Sequence, residues 1–195
     1  MRDLEVRPLQ RRHIEPMTAV FRALGWHKPR SQYERYLAEQ RQGRRVVFVA
    51  VIGEDFAGYL TINWSAAYPP FREGWILEIR DFNVLPRFRR QGIGTRLMDE
   101  AEQAVLERSS VVGIGVGMSP DYGPAQRLYA LRGYVPDGRG LASEGHPVLR
   151  GDTVTVDDGL VLYLTRELTR GSGREKPETR PGLDADRSPA SGRPK

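Results

Sequence analysis

The chain of 195 residues contains no cysteine. That excludes disulfides and thiolate metal sites and fits a reducing compartment. Lysine is almost absent as well: only Lys28, Lys176 and Lys195 interrupt a basic set that is otherwise all arginine. Histidine is limited to His13, His27 and His146, too scattered for metal-ligand spacing, so no metal is expected. No apolar run approaches the ~20 residues of a membrane span. The opening MRDLEVRPLQRRH lacks the apolar stretch of a signal peptide. The expectation is a cytoplasmic protein with no membrane partner. The net charge is +5, without a block of like charges. Nothing beyond that charge points to nucleic acid, so no nucleic-acid partner is expected.

Composition changes at residue 171. The segment 171–195 reads GSGREKPETRPGLDADRSPASGRPK, with Leu183 its one large apolar residue. Such a segment buries too little to offset its ordering entropy, and a disordered tail is expected there. Residues 1–170 are expected to form one α/β (α+β) domain, and no internal repeat is visible.

Within that domain, strand and helix patterns alternate. Leu4–Arg7 reads as a strand. Pro16–Leu24 reads as a helix with Met17, Val20, Phe21 and Leu24 on one face and Gly25 after it. Ser31 followed by Glu34 resembles a capping box opening a second helix. Arg45–Ile52 and Phe56–Trp64 read as a hairpin around Gly53–Asp55, and residues 66–74 as a loop. Trp75–Val84 reads as a strand stopped by Pro86. Ile93, Leu97, Met98, Ala101, Ala104 and Val105 form a helical stripe. Val111–Val116 is a strand. Pro124 opens a helix ended by Gly133. Tyr134–Val135 begins another strand, residues 139–159 form a turn-rich excursion, and Leu160–Glu167 is the last strand.

The informative stretch is Asn83–Leu97. A strand ends, an arginine-rich loop follows, and Gly92 and Gly94 open a helix. Helix N-terminal amides lack intrahelical partners and bind anions, glycine lets a backbone approach a ligand closely, and Arg89 and Arg90 add charge. The site suits a pyrophosphate. A Walker loop is excluded because Gly-Lys occurs nowhere, and a dinucleotide fingerprint because Leu97 stands at the third glycine. Gly113, Gly115 and Gly117 lack that spacing too, and read as letting a strand bend.

The run Arg89-x-x-Gly92-x-Gly94 after Val84 and Pro86 resembles the acetyl-coenzyme A loop of the GNAT N-acetyltransferases. Ala125-x-x-Leu128-Tyr129-x-x-x-Gly133-Tyr134 resembles the helix after strand five in that superfamily, although Tyr122 stands where many members have asparagine. The resemblance spans about residues 3–168. It implies a mixed central sheet of about seven strands, strands four and five splayed, flanked by about four helices. It implies acetyl-CoA as co-substrate, with the pantetheine arm in the V between those strands. Asn83 and Val84 would pair with that arm. The amides of Gln91, Gly92, Ile93, Gly94 and Thr95, with Arg89 and Arg90, would hold the pyrophosphate.

The implied reaction is direct attack of a neutral amine on the thioester within a ternary complex. An alkylammonium must first lose a proton, so a base helps. A strand-four amide would support the developing oxyanion. Tyr129 matches the family's acid toward the thiolate. Glu78 matches a family base. Glu78, Arg80 and Phe82 share one face of the strand and Asp81 and Asn83 the other; Glu78 is preferred, with Asp81 and a water chain as alternatives. Trp26, Tyr33, Trp64, Tyr68, Trp75 and Tyr122, with Tyr36 and Phe71, are candidates to line an acceptor pocket or to pack the core. The leading expectation is acetylation of a small-molecule primary amine. Alternatives are a protein N-terminal or lysine acetyltransferase, and a non-catalytic acyl-CoA sensor. A homodimer is compatible with the family.

Overall fold

The computed structural model describes residues 4–169. The expected tail at 171–195 lies outside them. The order is β1 (Leu4–Pro8), α1 (Arg11–Ala23), α2 (Arg30–Arg41), β2 (Arg45–Ile52), β3 (Asp55–Asn63), α3 (Pro69–Glu73), β4 (Leu77–Val84), α4 (Ile93–Leu106), β5 (Val111–Gly117), α5 (Gly123–Leu131), β6 (Val135–Ser143), β7 (His146–Pro147) and β8 (Leu160–Glu167). All eight strands form one sheet in the order β1-β2-β3-β4-β5-β8-β6-β7. Only β4 and β5 run parallel.

The amphipathic stripes decide the layers. Ile93, Leu97, Met98, Ala101 and Val105 of α4 are buried on one sheet face against Leu60, Ile62, Ile79, Val112, Ile114 and Val116. Met17, Phe21, Tyr33 and Leu37 of α1 and α2 are buried on the other, against Val47, Val49 and Tyr59. Under α3, Phe71 packs with Tyr68 and Tyr163. Among the described residues no helix is long and apolar enough to cross a membrane.

Several local expectations change. Helix α1 starts at Arg11 and carries Pro16 inside it; its start is held by His13, whose Nδ1 accepts the Gln10 N–H at 3.1 Å. Burial, with Arg7 and Arg12 nearby, lowers the His13 pKa to about 4, so the ring is neutral and can accept. The Ser31/Glu34 capping box does not form: α2 begins at Arg30 after Pro29, and Glu34 pairs with Arg30 at 2.8 Å instead. The loop at 66–74 contains α3, which Pro69 and Pro70 open. The fourth strand begins at Leu77 rather than Trp75. The excursion at 139–159 contains the end of β6 and all of β7.

Candidate functional site between the splayed strands

Parallel pairing of β4 with β5 is confined to Leu77↔Val112, Glu78↔Gly113 and Ile79↔Ile114. Beyond it, Arg80–Val84 and Gly115–Gly117 separate, leaving a V with Glu78 just below its vertex. A bulge makes the divergence. Tyr59 pairs with Asn83 but Thr61 with Arg80, so two residues of β4 face one of β3, and Asp81 takes a left-handed φ of 49°. A bulge of this kind re-aims side chains.

The expected facing of β4 is therefore corrected. Cross-strand partners put Glu78, Arg80 and Asn83 on the α1/α2 face, opposite Asn63, Thr61 and Tyr59. Asp81 joins them, while Phe82 goes to the α4 face and lies 6.4 Å from Tyr129. Both carboxylates thus share a face, and the period-two argument that separated them fails at the extra residue.

Their environments differ. Glu78 is 2 % exposed; its Oε2 accepts the Ala67 N–H at 2.9 Å, and Arg80 lies 3.7 Å away. Burial raises its pKa above the usual carboxylate range, against the pull of Arg80 and the Ala67 and Tyr68 amides. Asp81 is the reverse. Its Oδ1 accepts from the Lys28 ammonium and from Asn83 Nδ2 at 3.0 Å. Its Oδ2 accepts from Gln32 Nε2 at 2.8 Å, Tyr36 OH at 3.0 Å and Tyr59 OH. Burial acts to raise this pKa too, but the Lys28 charge and hydrogen bonds from Lys28, Tyr59 and Tyr36 outweigh it and hold it below normal.

Tyr129 is buried beside Phe82 and Tyr134. Burial raises its phenol well above the ordinary value. Its hydroxyl has no hydrogen-bond partner among the described residues, yet is not among the fully enclosed unpaired groups. Tyr122 stands on the β5 side of the V. Its hydroxyl donates to Asp158 at 2.9 Å; burial first, then Asp158, Asp121 and Asp81 push its pKa up to about 12. The β5 glycines have a different role from the expected bend. A Cβ at Gly113 would lie 2.2 Å from the Phe71 ring, and one at Gly117 2.5 Å from Tyr122. They keep one face of β5 bare so that rings can lie on it.

At the far end of β4 the chain turns through Pro86–Phe88 into α4. Gly92 caps α4 at φ 80°, and the first helical bond runs from Arg96 N–H to the Gly92 carbonyl at 2.9 Å. The amides before Arg96 in this turn are thus free of helical acceptors. Arg90 holds φ 61°, strained for an arginine. Arg89 turns back, its Nε donating to the Val84 carbonyl at 3.2 Å. Gly94 admits the Phe82 ring, which would lie 3.3 Å from a Cβ there.

The aromatic candidates scatter. Tyr33 is a core residue with no exposed surface. Trp64 packs under Arg108 at 4.1 Å, beyond the C-terminal end of α4 and remote from the glycine loop. Trp75 is 87 % exposed at φ 55° and belongs to no cluster. Tyr68 stacks on Tyr163 at 3.5 Å, near Glu78. Trp26 stacks on Phe21 at 5.5 Å and lines a cavity of about 430 Å³ with Thr18, Arg22 and Lys28. Lys28, Gln32 and Tyr59 meet Asp81 but are not among the sequence candidates; the isolated lysine in an arginine-rich chain was the available signal for the first.

A mixed sheet with one splayed parallel pair, and a glycine-capped helix N-terminus at its mouth, is the arrangement that the sequence resemblance implies. The Acetyltransferase (GNAT) family matches residues 11–134, and the chain belongs to that family of N-acetyltransferases. An uncharacterized N-acetyltransferase of Archaeoglobus fulgidus is 35 % identical over 102 residues, covering 50 % of this chain and 66 % of that protein. This chain therefore spans just under two thirds of that relative's length. An N-acetyltransferase from Staphylococcus aureus shares the fold at TM-score 0.64 and 12 % identity, covering 86 % of this chain and 99 % of that one. Arabidopsis thaliana NAA60, solved with acetyl-CoA, does so at 0.61 and 15 %, covering 85 % and 98 %.

Proposed function

We propose that the protein transfers an acetyl group from acetyl-CoA to a primary amine of a small molecule, in a ternary complex. The observation that carries this is the V itself. It joins an anion-binding helix terminus at its mouth to two carboxylates with oppositely shifted pKa values at its inner end. The residues fit the co-substrate: the glycine-capped amides and Arg90 suit a pyrophosphate, and the β4 edge that faces the V at Asn83 and Val84 suits an amide-bearing arm. When bound, acetyl-CoA supplies the activated thioester.

The chain's own residues divide the remaining work. Asp81, held ionised, binds the acceptor's positive end. Glu78, its affinity for protons raised by burial, takes the proton that the ammonium must lose, directly or through one water. Two carboxylates pushed apart in pKa is the pattern expected of a binder and a base. Amides of Gln91 to Thr95 hold the phosphates. Tyr129 stays protonated through the working pH range and presents its unpartnered hydroxyl to the departing sulfur. Tyr122 and Tyr68 flank the acceptor.

Thiol release from acetyl-CoA across small amines, peptides and aminoglycosides tests the reading. Turnover on a small amine supports it. Turnover on peptides alone would replace it with a protein acetyltransferase. Cofactor binding with no turnover would replace it with an acyl-CoA sensor.

A further inference from the structure

Lys28 is the sole lysine among the described residues. The chain uses arginine at nearly every other basic position, so a compact primary ammonium here is a departure from its own habit. Lysine differs from arginine in being a point charge on a flexible four-carbon stem. It sits in the short connection between α1 and α2, after Gly25 at φ 71° and just before Pro29, which precedes α2. From there its ammonium reaches the bulge of β4 and pairs with Asp81; the two side chains are 22 % and 14 % exposed.

The pair is unusual in three ways. Asp81 receives five donors, whereas two carboxylate oxygens offer about four lone-pair positions. Four of the donors, Gln32, Tyr36, Tyr59 and Asn83, are neutral and come from packed helices and strands. Lys28 is the one charged donor and the one carried by a loop. The same residue also lines an open pocket of about 430 Å³ formed by the end of α1 and the α1–α2 connection. A buried carboxylate demands a cation, but nothing in the arrangement demands that the cation belong to this chain.

Building on the acetyl-transfer reading, we propose that Lys28 is an internal stand-in for the acceptor: its ammonium holds Asp81 and is exchanged for the primary ammonium of the incoming amine. The substrate class follows. It is a primary alkylammonium narrow enough to follow a lysine stem, and an amine uncharged at neutral pH gains nothing from Asp81. Lys28 also sets a threshold, since each acceptor must displace it and apparent affinity is lowered by that competition.

The probe is n-butylammonium, which reproduces the lysine side chain beyond Cα, with n-butanol as the uncharged control. Binding by calorimetry to Lys28→Met is expected to be tighter than to wild type by a factor of about ten or more. The gain should vanish in the Lys28→Met/Asp81→Asn double variant and be absent for butanol. Equal or weaker binding to Lys28→Met, or a gain that survives Asp81→Asn, overturns the proposal. A second measurement needs no variant. In wild type labelled at lysine side chains, the chain has three lysines, and butylammonium should shift the Lys28 Nζ resonance from its ion-paired position while leaving the other two. A stationary Lys28 signal at saturating butylammonium also overturns it. CoA binding, measured separately, reports on the acetyl-transfer reading. Loss of CoA binding with intact exchange at Asp81 would sink that reading alone, and the converse would sink only this one.

Discussion

Replacing Asp81 by asparagine keeps the shape of the side chain and removes its charge. Whichever oxygen becomes the amide, two or three of the five donors then face a donor instead of an acceptor. At about 1 kcal/mol for each lost bond, the cost is about 2–3 kcal/mol. The Lys28 side chain is carried by a loop and 22 % exposed, so the penalty for a stranded cation adds little to this. For a domain of this size, ~2–4 °C per kcal/mol predicts a melting point lower by about 4–12 °C. Lys28→Met should cost more than Asp81→Asn, since the carboxylate cannot leave its place on β4, and breaking a buried pair from one side typically costs ~3–5 kcal/mol. The acid limb adds a second signature. The folded pKa of Asp81 is depressed, so its contribution is present above the unfolded carboxylate value near ~3.9 and is lost as pH falls through the folded value. The wild-type advantage over Asp81→Asn should therefore be full at pH 6–7 and shrink below about pH 4. Thermal melts of wild type and both single variants from pH 3 to 8 provide the assay. A melting point for Asp81→Asn within a degree of wild type, or parallel acid limbs, would refute the reasoning.

Glu78→Gln should lower kcat by about 10²–10⁴-fold with little change in CoA affinity. In wild type, kcat/KM should rise with pH through the raised Glu78 pKa; a flat profile across the carboxylate range would argue for a water chain or another base. At the mouth of the V, Gly92→Ala forces a Cβ onto φ 80°; a stability loss of about 1 kcal/mol and weaker CoA binding by calorimetry are expected. Gly113→Val must displace Phe71, whose ring would lie 2.2 Å from a Cβ, and overpacking of about 1–3 kcal/mol should appear in denaturant melts.

The layers and the glycine turn before α4 were legible because they rest on local pattern. The α4 stripe has a 3.6 period, and Gly92 and Gly94 stand where a strand gives way to a helix. What the sequence concealed are consequences of one inserted residue. The bulge at Asp81 and Phe82 breaks the alternation on which every facing argument along β4 depends, and alternation carries no mark of where a strand will bulge. For the same reason Asp81 was set against Glu78 as a rival base, whereas the fold puts both on one face in opposite electrostatic states. The aromatic candidates were hard to sort for a different reason. Tyr33 and Trp26 come from one helix–loop–helix region, yet Tyr33 is core and Trp26 borders a cavity; ring chemistry alone does not separate the two. Lys28 was visible as a count and became meaningful only when the α1–α2 connection brought it to β4.

The central claim is acetyl transfer to a primary amine within the V, with Tyr129 presenting its hydroxyl to the departing sulfur. The most direct test is steady-state thiol release from acetyl-CoA with primary alkylamines, for wild type and Tyr129→Phe. Turnover by wild type that falls by at least about tenfold in the variant, with unchanged CoA affinity, is the predicted result. Tight CoA binding by both proteins with no turnover on any amine would contradict it.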